Sequence, residues 1–310
     1  MLGIVFTVIA AFFFGISTVS MRRGVATGSA LNGLYLTLLP GVPLFWLAAL
    51  ATGQLFEMDR LDGGAVLLLV GAGLTHFMVG RYCTLRAMAA LGANRASPVI
   101  VSSVLISVGA AILFLDEQVS GLMALGILLV IVGPGVAASS PTRRITPAPI
   151  IGGGVVAAMS FDDIPRDRLI RGYAWAVANA IAFGTSPLLI KAALDDSGLG
   201  VLGGAIAYTS AGVPLALVLL MPGQLASLRG VDSNTRNWFL VAAMTIMLAQ
   251  MFRFLGIAHT DVSVAVPLLR GGAVFAVVMA FFVNRHLESF SRRVIIGTAV
   301  AILGSIALVV

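Results

Sequence analysis

Apolar runs of about twenty residues, separated by short polar breaks, recur along the whole chain and decide what it can fold into. Wound as a helix, a run of that length matches the hydrocarbon core of a bilayer, where backbone amides and carbonyls have to be satisfied inside the segment itself. Cutting the sequence at charges and at Gly, Pro, Asn and Asp clusters predicts ten spans: 2–21, 29–52, 64–91, 95–115, 119–138, 172–192, 199–221, 237–258, 262–284 and 293–310. Only 10% of the residues are charged, against about 25% in a soluble domain, which excludes a soluble fold. The 35 glycines are scattered through the apolar runs, as suits helices that approach one another closely in lipid.

The formal charge of +6 would suggest nucleic acid in a soluble chain. Here the basic residues act first as topology signals, and no basic stripe interleaved with aromatics appears, so nucleic acid is not an expected partner. Cys83 is the single cysteine, which rules out a disulfide within the chain. No His/Cys/Asp cluster has metal-ligand spacing, and there is neither a nucleophile elbow nor a nucleotide-binding loop. The expectation is therefore no cofactor, no metal, no direct use of ATP and no enzymatic activity.

The chain divides into a first unit over 1–138, a linker over 139–171 and a second unit over 172–310, because the two outer parts repeat one another. Phe14, Gly15, Ser17 and Arg22 form the pattern F-G-x-S-x4-basic, and Phe183, Gly184, Ser186 and Lys191 form it again 169 residues later. Pro98 and Pro267 are also 169 apart. Glu117, Ser120 and Gly126 return as Glu288, Ser291 and Gly297 at an offset of 171, as does the tetrapeptide GVPL at 41–44 and 212–215. Offsets this constant, in chain order, describe one five-helix unit present twice. Five is odd, so the second unit enters the membrane from the opposite side. The predicted fold class is an all-α integral membrane protein with ten transmembrane helices arranged as two inverted five-helix repeats, a construction that recurs in secondary transporters.

These residues together resemble the drug/metabolite transporter superfamily, and within it the EamA-type ten-helix exporters. The resemblance covers everything except the linker. It implies ten helices around a central substrate cavity and leaves the cargo open, since the superfamily moves amino acids, sugars, nucleotide-sugars, phosphorylated metabolites and drugs.

Charges inside the predicted spans mark the candidate site, because each arginine at a helix centre costs about 2.5–3.5 kcal/mol on insertion scales. Arg270, in VPLLRGGAVF, lies close to mid-helix, three residues after Pro267. It either satisfies carbonyls freed by that proline or lines an aqueous cavity and holds an anionic group, and the second reading is favoured. Arg81 and Arg253 lie off-centre, where snorkelling and cavity lining are equally open. Arg86, near a helix end, is read as snorkelling to the interface. Ser17, Ser186, Tyr82, Tyr208 and Gln250 are candidates for neutral hydrogen bonds to cargo, although such residues also bond neighbouring helices. His76 is the candidate for proton coupling, with a bond to a neighbouring helix as its plainer role. Pro43, Pro98, Pro214 and Pro267 are expected to bend their helices. All thirteen acids fall in loops or at helix ends, Glu117 and Glu288 as structural corners at helix starts. A cavity with arginines and no acid attracts carboxylates, phosphates or zwitterions.

Thirteen arginines occupy one set of alternate loops against Arg60 and Lys191 in the other. By the positive-inside rule this puts the linker in the cytoplasm and both termini outside it, whereas the resemblance suggests cytoplasmic termini. The expected protein is a multi-pass transporter of the plasma membrane, the inner membrane in a bacterium. It would export or exchange a small-molecule substrate, amino-acid-like or anionic, by alternating access, with the lipid bilayer as its other partner. The alternatives are a flippase for an anionic lipid or lipid-linked substrate and a membrane enzyme. The sequence does not fix the oligomeric state.

Overall fold

The computed structural model describes residues 1–27, 29–91, 96, 99–138, 165–195, 197–283 and 292–309. Most of the predicted linker, together with Pro98 and Glu288, lies outside the described residues. Within them the chain is helical throughout, with no strand. The helices are α1 (Leu2–Thr27), α2 (Ala30–Leu38), α3 (Gly41–Ala51), α4 (Gly63–Gly73), α5 (Arg81–Leu91), α6 (Ser103–Phe114), α7 (Gly121–Ala138) and α8 (Arg166–Leu194). They continue as α9 (Gly200–Leu219), α10 (Gln224–Arg229), α11 (Ser233–Ala258), α12 (Val262–Arg270), α13 (Gly272–Val283) and α14 (Arg292–Ala307). A 3-10 turn over Gln54–Arg60 links α3 to α4, and a π-helical stretch over Leu74–Gly80 joins α4 to α5.

Seven stretches among the described residues are long and apolar enough to cross a bilayer: Leu2–Met21, Leu31–Ala51, Gly63–Met88, Arg166–Leu194, Gly200–Leu219, Ser233–Ala258 and Val262–Val283. Three shorter apolar helices, Val99–Phe114, Gly121–Gly133 and Ile295–Ala307, coincide with the other three predicted spans. The expected first helix of the second unit starts earlier than 172, at Arg166, because Pro165 is a ready N-cap position and Asp167 and Arg171 pair across one turn.

Prolines act in three different ways. Pro43 lies in the first turn of α3, where an amide has no partner within the helix, and the break between α2 and α3 falls before it, at Leu39 and Pro40, the N-cap of α3. Pro267 lies inside α12, which ends at Arg270 before the break at Gly271. Pro214 sits inside α9 without interrupting it.

Packing follows a regular scheme. Helix α1 lies along α11 and against α12 and α13; α8 lies along α4, the π stretch and α5, and against α6. Helix α7 pairs with α14, α6 with α12, and α9 with α2 and α3. Exchanging α1 for α8, α2–α3 for α9, α4–α5 for α11, α6 for α12–α13 and α7 for α14 leaves this set of partners unchanged. The two F-G-x-S glycines illustrate the exchange. A Cβ on Gly15 would stand 2.6 Å from the Phe275 side chain, and one on Gly184 would stand 2.6 Å from Ile106. Each of these pairs of equivalent residues is 169 positions apart. Asp62 and Asp232 likewise cap α4 and α11, accepting from the amides of Ala65 at 2.7 Å and Thr235 at 3.0 Å.

Glycine sets the closest approaches. A Cβ on Gly73 would lie 2.1 Å from the Ala207 carbonyl oxygen, so α4 meets α9 backbone to backbone. Gly109 on α6 has nothing within 4 Å of the same position. Gly73→Ala therefore forces the α4–α9 contact apart and lowers stability by about 1–3 kcal/mol. Gly109→Ala raises it by up to about 1 kcal/mol through helix propensity. Thermal unfolding of the two purified variants checks this pair, and equal shifts would show that the contact carries no weight.

Candidate functional site

The site is built where the helices are least regular. At the end of α4 three carbonyls receive side-chain hydroxyls: Val70 from Ser210 at 3.2 Å, Gly71 from Thr75 at 2.8 Å, and Ala72 from Thr75 at 3.1 Å and Ser186 at 3.4 Å. Hydroxyls inserted into the ladder compete with backbone amides, and the chain widens into the π stretch that follows. That stretch carries His76 and Phe77, and Arg81 follows it directly. The Phe183 ring stacks on His76 with centroids 4.6 Å apart, and Phe77 meets His76 edge-on at 4.8 Å. Phe183 can lie there because Gly80 is bare: a Cβ at that position would be 2.2 Å from the ring.

Three guanidinium groups lie in the neighbourhood of this ring. Arg253, Arg81 and Arg270 all lie within electrostatic reach of His76. Arg253 is 4% exposed; it donates to Gln250 Oε1 at 3.4 Å and to Ser186 Oγ at 3.5 Å, and lies over the Phe254 ring. Arg270 donates to Ser103 Oγ at 2.7 Å, crossing from α12 to α6, so it does not turn back to the carbonyl freed by Pro267. Arg81 lies over the Phe77 ring at 5.6 Å. The Tyr208 ring is fully buried between Phe45 and Phe77, and its hydroxyl faces the field of Arg81 and Arg253. Among the described residues, no carboxylate pairs with Arg81, Arg253 or Arg270. The ion pairs there are Arg60–Glu57, Arg171–Asp167 and Lys191–Asp195, all at helix ends.

Two polar atoms of this group have no hydrogen-bond partner, His76 Nδ1 and the Tyr208 hydroxyl. Asn179 is similar: its amide donates to the Gly80 carbonyl at 2.7 Å and to Thr84 at 2.6 Å, while its own carbonyl is unpartnered. A cluster of three cationic heads, an imidazole, a phenol and several hydroxyls is chemically suited to an anion that also exchanges neutral hydrogen bonds.

The structure thus brings together Arg81, Arg253, Arg270, His76, Ser186, Tyr208 and Gln250. Tyr82 stands apart: it is 52% exposed, with its ring edge-on to Trp175 and with Arg86 over both rings. Tyr82 directly follows Arg81, and that single step of about 100° around the helix carries it to the outer face. Ser17 is buried on α1. Sequence reading passed over Ser103 and Asn179, although a lone amide in YAWAVANAIAF was a usable signal.

Glu117 is a corner of an unexpected kind. Its two carboxylate oxygens accept from the Val262 amide at 2.7 Å and the Ser263 amide at 2.8 Å, so it caps α12 from 145 residues away in sequence. Two surface clefts lie elsewhere. One of about 560 Å³ is lined by Val42, Pro43, Trp46, Leu47, Leu50 and Leu55. The other, of about 350 Å³, lies beside Arg60, Asp62 and Ser197.

Residues 1–137 match the model of the EamA-like transporter family. Those 137 residues are an EamA-like segment. A solved protein crystal structure shares the fold of the whole chain: it is 15% identical, with a TM-score of 0.73 over 98% of this chain and 95% of that one. No curated protein sequence matches. The EamA-like segment and the seven long apolar helices make this a multi-pass membrane protein.

Removing the Glu117 carboxylate leaves two amides at the start of α12 without their acceptor. Glu117→Ala is expected to cost about 1–2 kcal/mol, read as a lowered unfolding temperature. An unchanged temperature would mean water replaces the cap without loss.

Proposed function

We propose that this protein is a secondary active transporter that carries a small anionic metabolite across the plasma membrane by alternating access. The observation that carries this reading is the group of buried Arg253 with partly buried Arg81 and Arg270, all within electrostatic reach of His76 and with no carboxylate partner among the described residues. Uncompensated positive charge in an apolar bundle is expensive. A bound carboxylate or phosphate removes much of that cost, and Arg offers it a planar fork of donors. His76 Nδ1 and the Tyr208 hydroxyl are free to give the cargo its neutral contacts.

The two-unit architecture supplies the motion. In this reading 1–138 and 172–310 are inverted five-helix repeats that together make ten spans, and the exchange-symmetric packing of α1 with α11 and α8 with α4–α5 supports it. Two similar units that can trade conformations provide two nearly equivalent packings, open to opposite faces. With Arg253, Ser186 and Gln250 all buried, the cargo reaches them only when helices move.

Uptake into vesicles loaded with purified protein tests the proposal. Carboxylates or sugar phosphates are expected to enter or exchange, and quaternary ammonium ions are not. Arg270→Leu and Arg253→Leu should each weaken apparent affinity about 10- to 100-fold, the worth of a charged hydrogen bond, while the protein stays folded in the membrane. Transport of cations in preference to anions, or wild-type uptake by both variants, would remove the arginines from the site.

A further inference from the structure

A second duplicated motif lies in the turns between helices. Gly53-Gln54-Leu55 and Gly223-Gln224-Leu225 are 170 residues apart. In both, the glycine has a positive φ, 77° and 84°, and is the N-cap of the short helix that follows. An L side chain rarely adopts that backbone, so the two glycines fix the same turn and give the two glutamines the same starting position.

The glutamines nevertheless do different things. Gln54 Oε1 accepts from the amides of Val201 and Leu202, both at 3.0 Å, and so closes the first turn of α9. At the same offset, the corresponding amides for Gln224 are those of Leu31 and Asn32 at the start of α2. The Asn32 amide instead donates to Ser29 Oγ at 3.1 Å, and Gln224 Oε1 accepts from the Tyr35 hydroxyl at 3.5 Å. Gln54 meets the start of α9 and Gln224 follows its end, so they stand at opposite faces of the membrane, about 30 Å apart along a 20-residue helix. Lys191 reaches the Ala258 carbonyl at the Gln54 end, which places the Glu117 cap on Val262 and Ser263 at that face as well.

We propose that Gln54 and Gln224 are the paired gate residues of the transport cycle. Gln54 holds its face shut in the conformation described here, and Gln224 clasps the Leu31 and Asn32 amides when the opposite face shuts. Amides in the first turn of a helix have no partner within the helix, so an acceptor from the other unit is gained on closing and lost on opening. The two clasps are unequal. Helix α9 has no side-chain cap of its own, whereas α2 has Ser29. Closing the Gln54 face thus satisfies amides that nothing else in the chain serves, while Gln224 has to compete with Ser29.

The proposal rests on the alternating-access reading, and its test separates the two. In full-length protein with Cys83→Ser, Ser263→Cys places a reporter thiol under the Glu117 cap, where the native hydroxyl is buried and bonded to nothing. Its rate of reaction with a water-soluble maleimide reads opening of the Gln54 face. Gln54→Leu should raise the rate about 2- to 30-fold, the equivalent of a lost helix cap, and Gln54→Glu, which keeps the acceptor, should restore it. Gln224→Leu should lower the rate, and so should Gln224→Asn, which keeps the turn polar but is one methylene too short. A residue that only supports Tyr35 in the present conformation would leave the rate unchanged or raise it, and either result with both Gln224 variants overturns the proposal. Vesicle uptake on the same variants locates a failure. Anion uptake by the wild type without the opposed labelling shifts rejects the gate and keeps the transport reading. Opposed shifts without anion uptake keep the gate and reject the anion.

Discussion

Three guanidinium groups held inside an apolar bundle have to be solvated by something, and the rest of the structure is arranged around that requirement. Each would cost about 2.5–3.5 kcal/mol in the middle of a lone lipid-embedded helix. Here each has one to three partial partners, hydroxyls, an amide oxygen or an aromatic face, and none is neutralised by a carboxylate among the described residues. In the transport reading proposed above, partial compensation keeps the protein folded and leaves a field for an incoming anion to complete. A fully paired site would be more stable and would have nothing left to offer a cargo.

Bringing the three together requires backbone irregularity. Arg81 follows a π stretch and Arg270 ends a half-helix at a proline-glycine break. A regular helix would put its polar groups on one stripe. The widened turn and the break instead re-aim side chains of two spans toward a common centre, the membrane version of placing polar groups where helices are discontinuous. Bare glycines make room for this. Gly80 admits the Phe183 ring, and Gly73 lets α4 approach α9.

Much of the fold is legible in the sequence, because apolar length and charge position are direct readouts of the bilayer. The seven long spans fall where the predicted ones do. The family resemblance, read from F-G-x-S, the paired prolines and the glutamate corners, agrees with the match over 1–137. Local chemistry is legible where the signal sits in one segment. A lone arginine in VPLLRGGAVF announces itself, and Arg86 near a helix end lies at the surface over Tyr82 and Trp175 as its position suggests. What escapes the sequence depends on pairs of distant residues or on one step around a helix. Nothing near Glu117 says that its partners are amides 145 residues away, and nothing separates Tyr82 from Arg81 except the direction each faces. The π stretch has no proline to mark it, since it arises from hydroxyls on three different helices, and the duplicated Gly-Gln-Leu turns lie in segments that were read only as boundaries.

The central claim is that the arginine group is an anion site. Its most direct measurement is the shift in unfolding temperature of the purified protein when carboxylates, sugar phosphates, amino acids and quaternary ammonium ions are added in turn. The account predicts a saturable rise with one or more anions that disappears in Arg253→Leu. Stabilisation by cations alone, or by anions equally in wild type and Arg253→Leu, would contradict it.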